Sequence, residues 1–147
     1  MLGDVFMSES NATKRITMLE KVTVGENSSW YSFLIANDEN VQLEYKNKVS
    51  TQSVVIFTDR KILIIECPSS MSGFLTKFVD KQGLGIKKEY IILPYSKCTA
   101  FSVESLGISD FDSEFKVWAS AIGCIELNFR PKVDVREIAS LLVNKIG

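Results

Sequence analysis

The sequence predicts a mainly β fold: a seven-stranded antiparallel, partly open barrel capped by a C-terminal helix, with an N-terminal helical extension. Three observations carry this reading. From Val41 onward apolar residues recur with period two in short runs, polar turn-forming stretches separate those runs, and the C-terminal residues change to a helical period. Short antiparallel strands in this number make a sandwich or a partly open barrel, and a terminal apolar stripe needs an open core to cover.

Residues 1–38 differ in kind from the rest of the chain. Ser10 or Asn11 can cap a helix running through Val22, with Ile16, Leu19 and Val22 on one side. After the break at Gly25, Glu26 and Asn27, Ser28 or Ser29 can cap a second short helix, in which Trp30, Phe33 and Leu34 fall at i, i+3 and i+4. The organisation is one domain overall, a helical extension over 1–38 followed by a barrel with its helix over 39–147.

Val41, Leu43 and Tyr45 alternate with Gln42 and Glu44, as in a half-buried strand. Ser53 to Phe57 is a largely β-branched run, and Thr58 to Lys61 links it to Ile62 to Ile65 as a hairpin. Cys67 to Lys88 has no strand pattern. Strands resume at Glu89 to Leu93, Thr99 to Ser105, Glu114 to Ala119 and Cys124 to Phe129. At the end, Asp134 is placed to cap a helix, with Glu137 at the capping-box position three residues on. Ile138, Leu141, Leu142 and Ile146 form its apolar stripe, and Gly147 follows.

Composition bounds the chemistry. At 147 residues the chain buries enough surface to fold without a disulfide or metal. Cys67, Cys98 and Cys124 stand far apart, so they read as reduced thiols and not as a disulfide framework or zinc site. No apolar run reaches the ~20 residues that span a bilayer, and the N-terminus does not read as a secretory signal, which points to the cytoplasm. A net charge of -1 offers no overall attraction to nucleic acid, and none is expected as a partner. The absence of histidine removes the commonest general base and metal ligand; no cofactor or metal is expected, and no enzyme.

Several blocks in order resemble the bacterial pleckstrin-homology-like family. They are Phe57-Thr58-Asp59-Arg60-Lys61-Ile62-Leu63-Ile64, then Val79-Asp80-Lys81-Gln82-Gly83 with Lys87-Lys88-Glu89-Tyr90. Leu93-Pro94-Tyr95-Ser96, Phe101-Ser102-Val103-Glu104-Ser105 and Phe111-Asp112-Ser113-Glu114-Phe115-Lys116-Val117-Trp118 follow. Two departures stand out: Cys67 to Phe78 lengthens the loop before Asp80, and Leu84-Gly85-Ile86 replaces the family's usual Thr-Gly. The resemblance implies a barrel of seven strands and one helix, a binding or assembly module without known catalysis, and self-association into rings. Fold alone does not transfer a ligand.

Three surfaces are candidates for an interface. Between Lys77 and Lys97 five lysines, among them Lys81, Lys87 and Lys88, stand against two acids, whereas Glu104, Asp110, Asp112 and Glu114 have no basic residue among them. Opposite clusters on one subunit suit head-to-tail contact; the plain alternative is two solvated faces. The acidic cluster is also where a carboxylate hydrolase would have to act, although its members read more simply as turn residues. Met71, Phe74, Leu75 and Phe78 fall on one face of a short helix, which either folds onto the barrel or the N-terminal helices, meets a partner or subunit, or enters a membrane. Trp118 lies on the strand face opposite Phe115 and Val117, either as an interface residue or under the N-terminal helices.

The expected function is a non-catalytic module that self-associates, ring-type, and presents a surface to an unidentified protein partner. The alternative is peripheral binding to anionic membrane lipid through the Lys77–Lys97 segment, for which the first strand turn adds only Lys46 and Lys48.

Overall fold

The computed structural model describes residues 12–47, 52–67, 88–104 and 113–146. Its elements are β1 (Lys14–Val22), α1 (Ser28–Tyr31) running into a 3-10 turn (Ser32–Leu34), β2 (Val41–Asn47), β3 (Gln52–Thr58) and β4 (Lys61–Cys67). After these come β5 (Glu89–Pro94), a 3-10 turn (Tyr95–Lys97), β6 (Cys98–Glu104), β7 (Ser113–Ala119), β8 (Gly123–Phe129) and α2 (Arg136–Leu142). The strand order is β5-β4-β3-β2-β1-β8-β7-β6, with β5 and β6 as its two ends. All seven expected strands are present.

The eighth strand is β1, where the spacing of Ile16, Leu19 and Val22 suggests a helix. These three are the buried residues of a strand that pairs in parallel with β8, Ile16 opposite Leu127 and Leu19 opposite Phe129. Between those pairs the register shifts, and Met18 sits at φ 57. A bulge adds one residue to a repeat of two, so Ile16 and Leu19 fall three apart, and with Val22 buried three further on the strand mimics a helical period. Of the N-terminal helical extension, only the short α1 and its 3-10 turn are helical among the described residues.

Residues cluster into two compact units, Lys21–Ile92 and the combination of Met1–Glu20 with Leu93–Gly147. In the first unit β3 and β4 are buried on both faces. Leu43, Tyr45, Val55, Phe57, Ile62 and Ile64 share one face, where the Tyr45 and Phe57 rings meet edge-on at 6.0 Å. On the other, Val54, Ile56, Leu63 and Ile65 are covered by Tyr31, Trp30, Leu34 and Ile35. The helical segment therefore packs on its own sheet, and the uninterrupted apolar run of β3 is its sequence signature.

In the second unit Phe115, Val117, Ile125, Leu127 and Phe129 bury one face of β7 and β8. Helix α2 buries Ile138 and Leu142 as its stripe requires. It starts later than Asp134 alone suggests: the Asp134 carboxylate accepts the Arg136 backbone N–H at 3.0 Å and is gripped by the Arg136 guanidinium at 2.9 Å.

Two turns carry backbone signs that substitution can test. The β7–β8 hairpin closes through Gly123 at φ 99, where an added Cβ would collide with Thr13 Oγ1. Gly123→Ala is expected to lower stability by about 2 kcal/mol. Lys132 follows Pro131 in the turn closed by Val133 N–H to Arg130 O at 3.3 Å, and its φ of 77 suits glycine. Lys132→Gly is expected to raise stability by about 1 kcal/mol in urea unfolding.

Candidate interaction surface

The most distinctive surface lies in the Lys21–Ile92 unit and begins with two buried carboxylates that hold a short platform in place. Glu44, fully buried on β2, faces the turn before α1. Its oxygens accept the Gly25 N–H, the Asn27 N–H and the Asn27 side-chain amide, each at 2.8 Å, and the Tyr31 hydroxyl at 2.6 Å. Gly25, at φ 95, adopts a backbone that favours glycine, with its N–H directed to the carboxylate. Burial, then the bond to Glu44 and the negative charge there, push the Tyr31 hydroxyl well above its ordinary 10.0.

Glu39 fastens the other end. It accepts the Ala36 N–H at 3.0 Å, the Thr58 hydroxyl at 2.6 Å and the Lys61 ammonium at 2.9 Å. Lys61 in turn donates to the Leu34 carbonyl at 2.6 Å, so the ion pair is tied to the last residue of the 3-10 turn. Burial alone would raise the Glu39 carboxyl, but Thr58, Ala36 and Lys61 together hold it below the usual carboxylate range.

Between these two fastenings the helix changes character. Tyr31 leaves helical geometry at φ -138, and the chain tightens from α to 3-10 at Ser32. The change separates the expected helical face: Trp30 and Leu34 pack on the sheet, while Phe33 is left 68% exposed. Tyr90 of β5, 40% exposed, meets the Phe33 ring edge-on at 5.5 Å. Ile92, 44% exposed, follows two residues later on the same strand face. The Lys46 and Lys88 ammoniums stand over the Trp30 ring at 5.8 and 5.3 Å from its centroid. Among the described residues no carboxylate pairs with either lysine. The result is an aromatic and aliphatic surface with two positive charges at one end.

Of the residues singled out from sequence, Lys88 belongs to this surface. Glu114 is half-buried on β7 and pairs with Lys116 at 3.4 Å. Lys81, Lys87, Met71, Phe74, Leu75, Phe78, Asp110 and Asp112 lie outside the described residues. Phe33, Tyr90 and Ile92 were not legible as surface residues, because helix and strand periods alone place Phe33 with the core. Lys46 was legible only as part of the β2–β3 turn.

The unit of Met1–Glu20 with Leu93–Gly147 carries a different polar face. Arg15, Glu126 and Lys116 lie side by side on β1, β8 and β7, with Arg15 Nε 2.9 Å from the buried Glu126 carboxylate. Burial pushes that carboxyl up, yet Asn128, Arg15 and Lys116 outweigh it and hold it low. Trp118 is half-buried on this same face, opposite Cys124 and Ala100. Burial raises the Cys124 and Cys98 thiols, the condition of packed and unreactive sulfur. No helix among the described residues is long and apolar enough to cross a membrane.

This strand order with one terminal helix is a pleckstrin-homology-like fold. Residues 76–146 match the family model described as the bacterial PH domain, which the chain resembles. The solved structure of a DUF1696 family protein with a pleckstrin-homology domain from Shewanella loihica PV-4 superposes with a TM-score of 0.64 at 21% identity, covering 87% of this chain and 97% of that one. A pleckstrin-homology domain from Shewanella amazonensis SB2B gives 0.57 at 22% identity, covering 86% and 90%. The uncharacterized protein YjqA of Bacillus subtilis (strain 168) is 28% identical over 112 residues, 74% of this chain and 76% of its own length.

Proposed function

We propose that the chain is a non-catalytic, cytoplasmic assembly module that self-associates and thereby presents a protein-interaction surface. One observation carries this reading: Phe33, on a platform that buried carboxylates fix at both ends, is exposed together with Tyr90 and Ile92 of β5. Contiguous exposed aromatic and aliphatic groups mark interfaces, where such rings supply much of the contact energy. A rigid platform keeps them presented without an ordering cost on binding.

Light scattering on a gel-filtration column is expected to give a defined multiple of the 16.5 kDa chain mass at low salt, falling as salt rises. A 16.5 kDa species at every salt and concentration would remove self-association. A second reading, anionic lipid binding through Lys77–Lys97, is favoured by Lys46 and Lys88 standing beside Trp30. Co-sedimentation with anionic vesicles that is lost at high salt supports it, and no binding to strongly anionic vesicles removes it.

A further inference from the structure

We infer that the surface formed by Trp30, Phe33, Lys46, Lys88, Tyr90 and Ile92 receives the acidic, phenylalanine-bearing β6–β7 segment of a second copy of this chain. The inference deepens the reading of self-association and rests on it. The receiving surface has two chemical halves: exposed rings with Ile92, and two ammoniums that no carboxylate neutralises among the described residues. Its occupant must therefore be acidic and carry an apolar side chain close to the charge.

The chain's own sequence contains such a segment. Ser109-Asp110-Phe111-Asp112-Ser113-Glu114 sets one phenylalanine between two aspartates, and no basic residue occurs from Glu104 to Glu114. The described strands that flank it point the same way. Glu104 ends β6 and Glu114 opens β7, and the two pair directly across the hairpin. Like charges directly opposite are unfavourable, and among the described residues only Glu114 is relieved, by Lys116 at 3.4 Å. A basic surface brought to this hairpin end removes the repulsion.

Because the basic-aromatic surface and the acidic segment are different parts of the chain, the contact is head-to-tail. Such contacts propagate from copy to copy and end as a ring when the rotation closes. The specificity is electrostatic and the holding contact is aromatic, so salt acts on assembly without abolishing the apolar half.

Charge reversal with a mixing arm tests this. Lys46→Glu with Lys88→Glu makes one variant, and Asp110→Lys with Asp112→Lys makes the other. Each alone is expected to run at 16.5 kDa under conditions where the unaltered chain is an oligomer. An equimolar mixture of the two is expected to form oligomers again, in which the variants alternate, because both mixed junctions are then complementary. Phe33→Ala, a change at a largely exposed ring whose retained fold circular dichroism checks, is expected to weaken assembly about tenfold or more. An oligomer that survives either reversal, or a mixture that stays monomeric, overturns the proposed contact while self-association stands. A monomeric unaltered chain overturns self-association itself, and the contact with it.

Discussion

Glu44→Ala is expected to destabilise the chain by about 4 kcal/mol, which urea unfolding followed by circular dichroism will measure. The side chain is fully buried and collects four donors: two backbone N–H groups, one amide and one phenol. Hydrogen bonds to a charged acceptor contribute about 1.5–3 kcal/mol each, and the donors left behind have no water to turn to. Glu44→Gln is expected to cost less, about 2 kcal/mol, since one carbonyl oxygen still accepts while its NH2 group faces other donors. Tyr31→Phe removes a single bond and is expected to cost about 1.5 kcal/mol.

The same cluster sets an alkaline limit. Tyr31 is held protonated in the folded chain above its ordinary 10.0, so its contribution is complete below that pH and is lost as pH rises beyond it. Stability of the unaltered chain should fall above pH 10 more steeply than that of Tyr31→Phe. Equal slopes would show that the phenol is not coupled to Glu44. Weakening this cluster also loosens the mounting of Trp30 and Phe33, so Glu44→Gln should weaken the proposed self-association although Glu44 hydrogen-bonds to no residue of the proposed contact surface.

How much of this was legible in the sequence depends on whether one period governs a segment. β7 and β8 alternate cleanly, Phe115 and Val117 against Lys116 and Trp118, because one face is core and the other polar. The C-terminal helix announced itself through the stripe of Ile138, Leu141, Leu142 and Ile146: Ile138 and Leu142 are buried on the helix, Leu141 is half-buried, and Ile146 is buried just beyond its end. β1 was hidden because its bulge at Met18 sets Ile16 and Leu19 three apart, and with Val22 buried three further on no search for a single period separates the run from a helix. Bulges arise from local backbone choices and from the partner strand, and neither is written in the run itself.

Glu44 shows a different limit. Alternation marks it as polar and outward on β2, and it does lie opposite Leu43 and Tyr45. What covers it is a segment whose arrival is set by Gly25, Asn27 and Tyr31, well before it in the chain. A hint was present in β3, where an apolar run without alternation means that both faces are covered, including the face Glu44 shares with Ile56. The candidate surface inherits this difficulty. Lys88 could be picked out by charge, but Phe33 is exposed only because the helix tightens after Tyr31, and Tyr90 gains its role only from meeting Phe33.

At the other fastening, Lys61→Met is expected to cost about 3 kcal/mol at neutral pH. The ammonium is largely buried against the Glu39 carboxylate and also satisfies the Leu34 carbonyl, so methionine of similar length leaves a buried charge and an acceptor without their donor. The pH dependence separates this explanation from simple loss of packed volume. In the unaltered chain the Glu39 carboxyl is depressed below its ordinary 4.5, so its contribution is complete above that pH and is lost as pH falls beneath it. Glu126 has the same sign, which makes the unaltered chain acid-sensitive below pH 4.5. Without Lys61, burial is opposed only by Thr58 and Ala36, and protonating Glu39 relieves the unpaired charge. The stability gap between Lys61→Met and the unaltered chain should therefore narrow as pH drops from 7 to 4. A gap that stays constant over that range would mean that the cost is one of volume, and that the Glu39–Lys61 pair does not hold the platform electrostatically.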